Sequence, residues 1–346
     1  MTNSRVQRRK SRLRRILRAF LVVGIVSFIA FGGAAGYFIY KLANVTSGAQ
    51  QELARGDMSE KREEQVNPSK DNISILFLGV DDRDGNLSGR TDAILVATFN
   101  KEDTSVNILS IPRDSLVNIP GRTNPDKINH AHAYGGLDLS VSTVEELLDI
   151  PIDYYVKLNF DAFVEIIDAL GGVEVDVPKT FSEQDSSGNQ GAITLQEGTH
   201  TLNGEEALAF VRMRKADPLG DIGRGHRQQQ VIKAIIEKGS SISSITSYDD
   251  VLESVGTHMT TNLSFGNMVA LHSYGRSLNE VNTINIESSP TSINGVSYVQ
   301  LDEASLAEVT HALRVHLGLE EASESKLGTT DAASEADDGT DTNTTY

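Results

Sequence analysis

The 346-residue chain has no cysteine, which excludes disulfides, thiolate metal sites and a cysteine nucleophile together. Positive charge is scarce as well. The chain carries 31 basic and 48 acidic residues, a formal net charge of −17. Eight of the bases (Arg5, Arg8, Arg9, Lys10, Arg12, Arg14, Arg15, Arg18) stand in the first 18 residues, with no acid among them. The remainder is therefore strongly acidic and repels nucleic-acid phosphates, so no nucleic-acid partner is expected. Also missing are a Gly-x-Ser-x-Gly elbow, a P-loop and a dinucleotide fingerprint, which sets aside the commonest serine-hydrolase, nucleotide and dehydrogenase chemistries. His130 and His132 are two apart, have no acidic cluster at zincin spacing and read as structural.

Charge is absent altogether from residues 19–40, AFLVVGIVSFIAFGGAAGYFIY. At about 1.5 Å per residue, a helix of that length spans a hydrocarbon core of roughly 30 Å. The basic block precedes it and the first acid is Glu52, so the reading is a cytoplasmic amino terminus and an exported body. A cleaved signal peptide competes with this, but the apolar run exceeds the roughly 7–15 residues of a signal core. Residues 1–18 thus read as a basic cytoplasmic tail and 19–40 as a transmembrane helix. The polar, mixed-charge stretch 41–71 reads as an extracytoplasmic stalk, with a short packed helix over 49–58 as the alternative.

From Ile73 the pattern becomes dense. ISILFLGV (73–80), AILVATF (93–99) and VNILSI (106–111) read as strands, and their near-continuous apolar character suits a sheet covered on both faces. Helical spacing over 137–148 and 160–170 alternates with strands at 152–158 and 173–177. Asn203 with Glu206 three residues on resembles a capping box opening a further helix. Helices are expected near 226–239, 247–259, 265–279 and 303–317, with a strand near 283–286. The mixture indicates an α/β fold, a three-layer α/β/α domain with a mixed central sheet over 72–318. Residues 319–346 hold eight acids and one lysine with few large apolar side chains, and read as a disordered tail.

The first three strands carry a geometric argument. Their connections, 81–92 and 100–105, are too short for helical crossovers, so the strands form an antiparallel meander. The end of the first, the start of the second and the end of the third then share one sheet edge. There stand Asp81 and Arg83, Arg90 and Asp92, and Arg113 and Asp114. Arg90 and Asp92, two apart in an extended segment, are expected to face the same way. A second cluster lies more than a hundred residues later. Arg212 and Arg214 in FVRMR share a face if extended, and Asp221, Arg224 and Gln228 in GDIGRGHRQQQ fall on one helical stripe with Arg227 beside it. Glycines 220, 223 and 225 permit close approach of ligand or backbone, and a helix starting here offers free N–H groups to an anion. Of 22 basic residues between 19 and 318, ten stand in these segments and their connecting loop, Arg122, Lys127 and Lys215 included. An acidic protein that concentrates arginine locally is building an anion site, because guanidinium matches phosphate bidentately. Two hard carboxylates, Asp81 and Asp92, are suited to Mg²⁺ bridging phosphate oxygens. Structural ion pairing is the competing reading for any one of these residues. Apolar positions on the 160–170 and 226–239 helices are core by default, although a lipid tail could run between them and the sheet.

The segments NISILFLGVDDR, GRTDAILV, SVNILSIPRD, DKINHAHAYGG, IPIDYYVKLNF, DALGGVEVDVP, LNGEEALAFVRMRK and GDIGRGHRQQQ together resemble the LytR–CpsA–Psr family, in order over roughly 72–240. The resemblance implies a type II, single-pass protein of the cell membrane whose α/β/α domain faces outward. It implies binding of a polyprenyl-pyrophosphate-linked glycan and its transfer, as wall teichoic acid, capsular or similar polysaccharide, onto peptidoglycan. Carried over by position, it implies that Asp81 and Asp92 bind Mg²⁺. Arg90, Arg113, Arg212, Arg214, Arg224, Arg227 and Gln228 would then grip the pyrophosphate, with Arg83 and Lys127 in attendance. Arg113 and Asp221 are the catalytic candidates, Asp221 as a base or as a group orienting arginine. A pyrophosphatase acting on the same donor would use the same residues, and a non-catalytic lipid-glycan binding or regulatory protein is a third reading. The intact motifs favour transfer.

Overall fold

The computed structural model describes residues 50–81, 87, 89–214, 217, 219–241, 258–275, 278 and 280–321. The expected transmembrane segment and all but the first three residues of the acidic tail lie outside these. Among the described residues no helix is long and apolar enough to cross a membrane.

The expected meander forms. Strand β1 (Ile73–Val80) pairs antiparallel with β2 (Thr91–Asn100), which pairs antiparallel with β3 (Ser105–Ser110). After the small ladder of β4 (Leu116–Val117) and β5 (Asp126–Lys127) comes helix α1, His130–Leu148. This helix starts earlier than the spacing predicts, because Gly135 and Gly136 adopt non-helical angles and kink it rather than end it, a distortion glycine tolerates. Strand β6 (Tyr154–Leu158) returns parallel to β1. Helix α2 (Phe160–Ala169) follows, capped by the Asn159 side chain accepting from the Ala162 N–H. Strands β7 (Val173–Val177) and β10 (Gly198–Leu202) pair, enclosing the short ladder of β8 (Phe181–Glu183) and β9 (Ile193–Leu195). The capping box is present as read: Asn203 and Glu206 exchange side-chain and backbone bonds at the start of α3 (Gly204–Arg212). Helix α4 (Gly220–Ser241) is the longest among the described residues. Then come β11 (Met259–Thr261), α5 (Phe265–Gly275), β12 (Glu280–Ile284), the hairpin β13 (Ser288–Ile293) and β14 (Val296–Leu301), and α6 (Glu303–His316).

The central sheet has six strands in the order β11-β6-β1-β2-β3-β12, with β1–β6 and β3–β12 parallel and the rest antiparallel. Alternation along the strands sorts the two faces. Leu76, Leu78, Ile94, Val96 and Leu109 pack with Val141, Val144 and Leu148 of α1 and Val309 and Leu313 of α6. Ile73, Ile75, Leu95, Ala97 and Ile108 face Ile232 and Ile236 of α4 and Met268 and Leu271 of α5. A separate core joins α2, α3, α4 and the strands 173–202 around Val175, Phe210 and Val231.

Four expectations need correction. The helix over 247–259 falls largely outside the described residues, but Met259 is in a strand. Arg212 closes a helix instead of lying extended. The stretch 50–71, read as the end of a stalk, lies along the domain: Leu53 is in the core, Arg55 donates to Glu145 at 2.5 Å, and Arg62 pairs with Asp153 at 2.7 Å. At the other end Leu319 packs on the core and Glu320 pairs with Arg314, so the first residues assigned to the acidic tail complete α6's surroundings.

Candidate active site

The β1–β2 ladder runs in register from Ile73↔Phe99 to Gly79↔Ala93 and then jumps to Val80↔Thr91. One residue of β2 is left over, and it is Asp92. A β-bulge breaks side-chain alternation and re-aims what it carries. Arg90 precedes the strand, and Asp92 is the residue that the bulge re-aims. It turns toward the end of β3 and forms an ion pair with Arg113. Burial works against the Arg113 charge, but Asp92, with Asp114 and Asp221 beyond it, outweighs that and raises its pKa. Its Nε is buried without a hydrogen-bond partner.

Helix α4 brings the distant cluster to the same place. Asp221 stands in its first turn, 3.4 Å from the Arg224 guanidinium and 3.0 Å from Nε of Arg214. Close packing here depends on two glycines: a Cβ on Gly225 would meet Ser110 Oγ of β3 at 3.1 Å, and one on Gly223 would meet the Asp217 carboxylate at 1.9 Å. Burial lowers the Arg224 pKa; Asp221 opposes that shift, and the neighbouring Arg113 charge reinforces it. A buried cation crowded by another cation is an environment that an incoming anion relieves.

Two cavities meet at these side chains. The larger, about 240 Å³, lies between the sheet and helices α2, α3 and α4. Phe77, Leu95, Leu158, Phe160, Phe163 and Leu208 are among its apolar walls, while Asp81, Asp92, Glu183, Gln184, Arg212, Arg224 and Gln228 are the polar part of its lining. It exists because the α2–α3 core and the sheet core each close on themselves, leaving side chains such as Phe77 and Phe163 only half-buried between them. Arg212 is held over the Phe160 ring, 4.2 Å from its centroid. The smaller cavity, about 30 Å³, is lined by Arg113, Asp221, His226, Asn285 and Ser288, and shares Asp92, Arg224 and Gln228 with the larger.

Other candidates are placed differently. Arg90 is exposed and borders neither cavity; its charge is felt at Tyr134, whose ring lies 4.2 Å from the Arg122 guanidinium. Lys127 pairs with Asp114 at 3.0 Å, on the flank of the site. Arg214 reaches the site only through Asp221 and is half exposed. Arg227 is turned inward. It is 4% exposed, donates from Nε to the Phe210 carbonyl at 3.0 Å and from Nη2 to the Met213 carbonyl, and pairs with Asp217. Its fork holds the carboxyl end of α3, so the expected grip on pyrophosphate is not where its geometry puts it. Arg83 lies outside the described residues.

Among the described residues no group of three or more histidines and carboxylates is arranged around a metal position. The pair Asp81 and Asp92, lining one cavity, is nevertheless the donor set that Mg²⁺ accepts, since this ion commonly takes one or two carboxylates and completes its shell with water and phosphate.

The LytR_cpsA_psr family model matches residues 36–315. The chain belongs to the LytR–CpsA–Psr family. Its relatives include the polyisoprenyl-teichoic acid–peptidoglycan teichoic acid transferase TagT of Bacillus subtilis (strain 168), 43% identical over 322 residues, 91% of this chain and 99% of that protein. TagU of the same organism, named for the same transfer, is 39% identical over 90% of this chain and 99% of its own length. The structure of TagT bound to LIIa-WTA superposes with a TM-score of 0.68 at 44% identity, covering 78% of this chain and 99% of that one. TagT with bound octaprenyl pyrophosphate lipid gives 0.63 at 40% identity, with the same coverage. In this LytR–CpsA–Psr chain, sequence reasoning missed Asn285 and Ser288, which lie in and beside the turn after β12. Neither residue type is distinctive, and no motif surrounds them. Phe160 and Phe163 were read as core by default, and their half-burial is visible only once the helices are placed.

Proposed function

We propose that this protein transfers a polyprenyl-pyrophosphate-linked glycan polymer onto peptidoglycan and releases polyprenyl phosphate. One observation carries the reading: a largely apolar cavity whose polar lining is two arginines, two glutamines and three carboxylates has the amphiphilic form of a prenyl chain ending in pyrophosphate. The names of TagT and TagU and the lipid bound in the TagT structure support the same chemistry.

In this reading the prenyl chain lies against Phe77, Leu158 and Phe163, while Arg224, Arg212 and Gln228 bind the pyrophosphate oxygens. Arg113, held in orientation by Asp92, stabilises charge that grows on the transferring phosphoryl group, and Asp221 orients Arg224 and Arg214. Such preorganised charge is the main catalytic resource in phosphoryl transfer. Asp81 and Asp92 would hold Mg²⁺, which when bound adds charge neutralisation on the phosphates. Arg227 acts at one remove, by fixing the α3–α4 corner. Residues 19–40 anchor the chain in the cell membrane as a single-pass, type II protein, with the domain outside; the charge asymmetry of the sequence supports this orientation.

The test is incubation of the full chain in detergent with a prenyl-pyrophosphate oligosaccharide and peptidoglycan fragments, with and without a chelator. A covalent conjugate that forms only without chelator is expected. Phosphorylated free glycan in place of conjugate would mean hydrolysis, and no consumption of donor would leave a binding protein.

A further inference from the structure

The two cavities differ in size and lining, and that difference bears on the route of the second substrate. We infer that the small cleft between the start of α4 and the β12–β13 turn is the entry port for the attacking hydroxyl of the acceptor sugar, with Asn285, Ser288 and His226 as its recognition residues. The inference rests on the transfer reading above and deepens it.

Three observations carry the assignment. First, the cavities share Asp92, Arg224 and Gln228 and otherwise diverge. If the prenyl chain fills the apolar cavity, the reacting phosphorus lies at the shared residues and the leaving phosphate on the lipid side. Attack in line with the breaking bond then comes from the side away from the lipid, and the cleft's own lining, Arg113, Asp221 and Asn285 among it, belongs to the part of the site that the lipid cavity does not include. Second, the cleft measures about 30 Å³. One water needs roughly 10–15 Å³, so the cleft admits a hydroxyl group and excludes a sugar ring. The ring must stand on its rim, where Asn285 and His226 are exposed and Ser288 is half exposed. Amide, imidazole and hydroxyl groups on a rim are the donors and acceptors that a neutral sugar requires. Third, the Asp221 carboxylate lines this cleft and not the lipid cavity.

The acceptor hydroxyl oxygen forms a bond to the phosphorus nearest the glycan. The bond from that phosphorus to the oxygen of polyprenyl phosphate breaks, and its electron pair leaves with that phosphate. The hydroxyl proton passes to Asp221 and then to solvent. Asn285, Ser288 and His226 touch the sugar and set acceptor affinity, while donor binding depends on the other cavity.

The experiment compares the full chain with its Asn285→Ala and Ser288→Leu variants, varying peptidoglycan fragment and prenyl-pyrophosphate oligosaccharide separately. Binding of octaprenyl pyrophosphate serves as the check that each variant folds. Both substitutions should raise the acceptor KM about five- to tenfold, as loss of one neutral hydrogen bond does, and leave the donor KM and lipid affinity unchanged. A donor KM that rises while the acceptor KM stays fixed would overturn the assignment, as would no change in either. If Ser288→Leu does not bind lipid, Asn285→Ala, at an exposed position, decides alone. Failure of the unsubstituted chain to form any conjugate would refute the transfer reading itself, a different outcome from conjugate formation that is indifferent to these residues.

Discussion

Asp92, the residue left unpaired by the bulge in β2, is ion-paired with Arg113 beyond the end of β3. The bulge and the pair depend on each other. Without the extra residue, regular alternation would send the carboxylate with Arg90, and without Arg113 a partly buried carboxylate would stand unpaired beside Asp221. Arg113 is thereby fixed before any ligand arrives, which is what electrostatic catalysis requires of a cation.

Removing either partner should cost activity and spare the fold. Arg113→Ala and Asp92→Asn are each expected to lower the rate of conjugate formation by at least about a hundredfold, the usual loss when one preorganised charge is deleted. Far-UV circular dichroism should be unchanged, because both side chains sit at a cavity wall and not in the core. Activity near the unsubstituted level in both would remove this pair from the chemistry.

Much of this was legible in the sequence. Short connections dictated the meander, and the meander dictated that residues 81, 92 and 113 converge. The bulge was not legible, since Thr91-Asp92 carries no signature that distinguishes it from regular strand. Arg227 was misjudged for a related reason. Helical spacing places it beside Arg224, but its partners Asp217, Phe210 and Met213 belong to the preceding turn and helix end. The hairpin 288–301 went unread because its strands are mostly exposed and rich in serine, and give no apolar alternation.

Arg227 makes a stability prediction instead of a catalytic one. Arg227→Leu takes the guanidinium from two carbonyls and from the part-buried Asp217 carboxylate, which keeps only the Leu219 N–H, and breaking a largely buried pair in this way costs about 3 kcal/mol. Gly223→Ala should act at the same place, because its methyl group would overlap the Asp217 carboxylate. Denaturant titration should show both variants destabilised, with the midpoint displaced and the slope retained.

The apolar cavity predicts selectivity for chain length. Val211 lines it and is half-buried, so Val211→Trp can project into the space without repacking the core. Affinity for octaprenyl pyrophosphate should fall by about tenfold or more, equivalent to roughly 1.4 kcal/mol, whereas affinity for inorganic pyrophosphate should hold. An equal loss for both ligands would mean that the substitution had disturbed the polar lining.

Stability toward acid should depend on His316. The ring is buried between Thr98, 2.8 Å from Nδ1, and Ser105, 2.9 Å from Nε2, hydroxyls that satisfy the neutral imidazole by donating to one nitrogen and accepting from the other. Burial pushes its pKa down to about 4, with Asp103 opposing weakly, against roughly 6.5 in the unfolded chain. The unfolded state therefore binds the proton first as pH falls, so stability present above about pH 6.5 is lost progressively toward pH 4. Asp126, held at about 2 by His130 and Tyr134 despite burial, loses its contribution only below the ordinary carboxylate range, a separate window. His132 is also lowered by burial and loses stability in the same sense as pH falls, so the comparison must be between variants. Urea titrations near pH 7 and near pH 5 should show a smaller drop in unfolding free energy for His316→Asn than for the unsubstituted chain. An equal drop in the two proteins would mean that His316 does not carry the proton linkage.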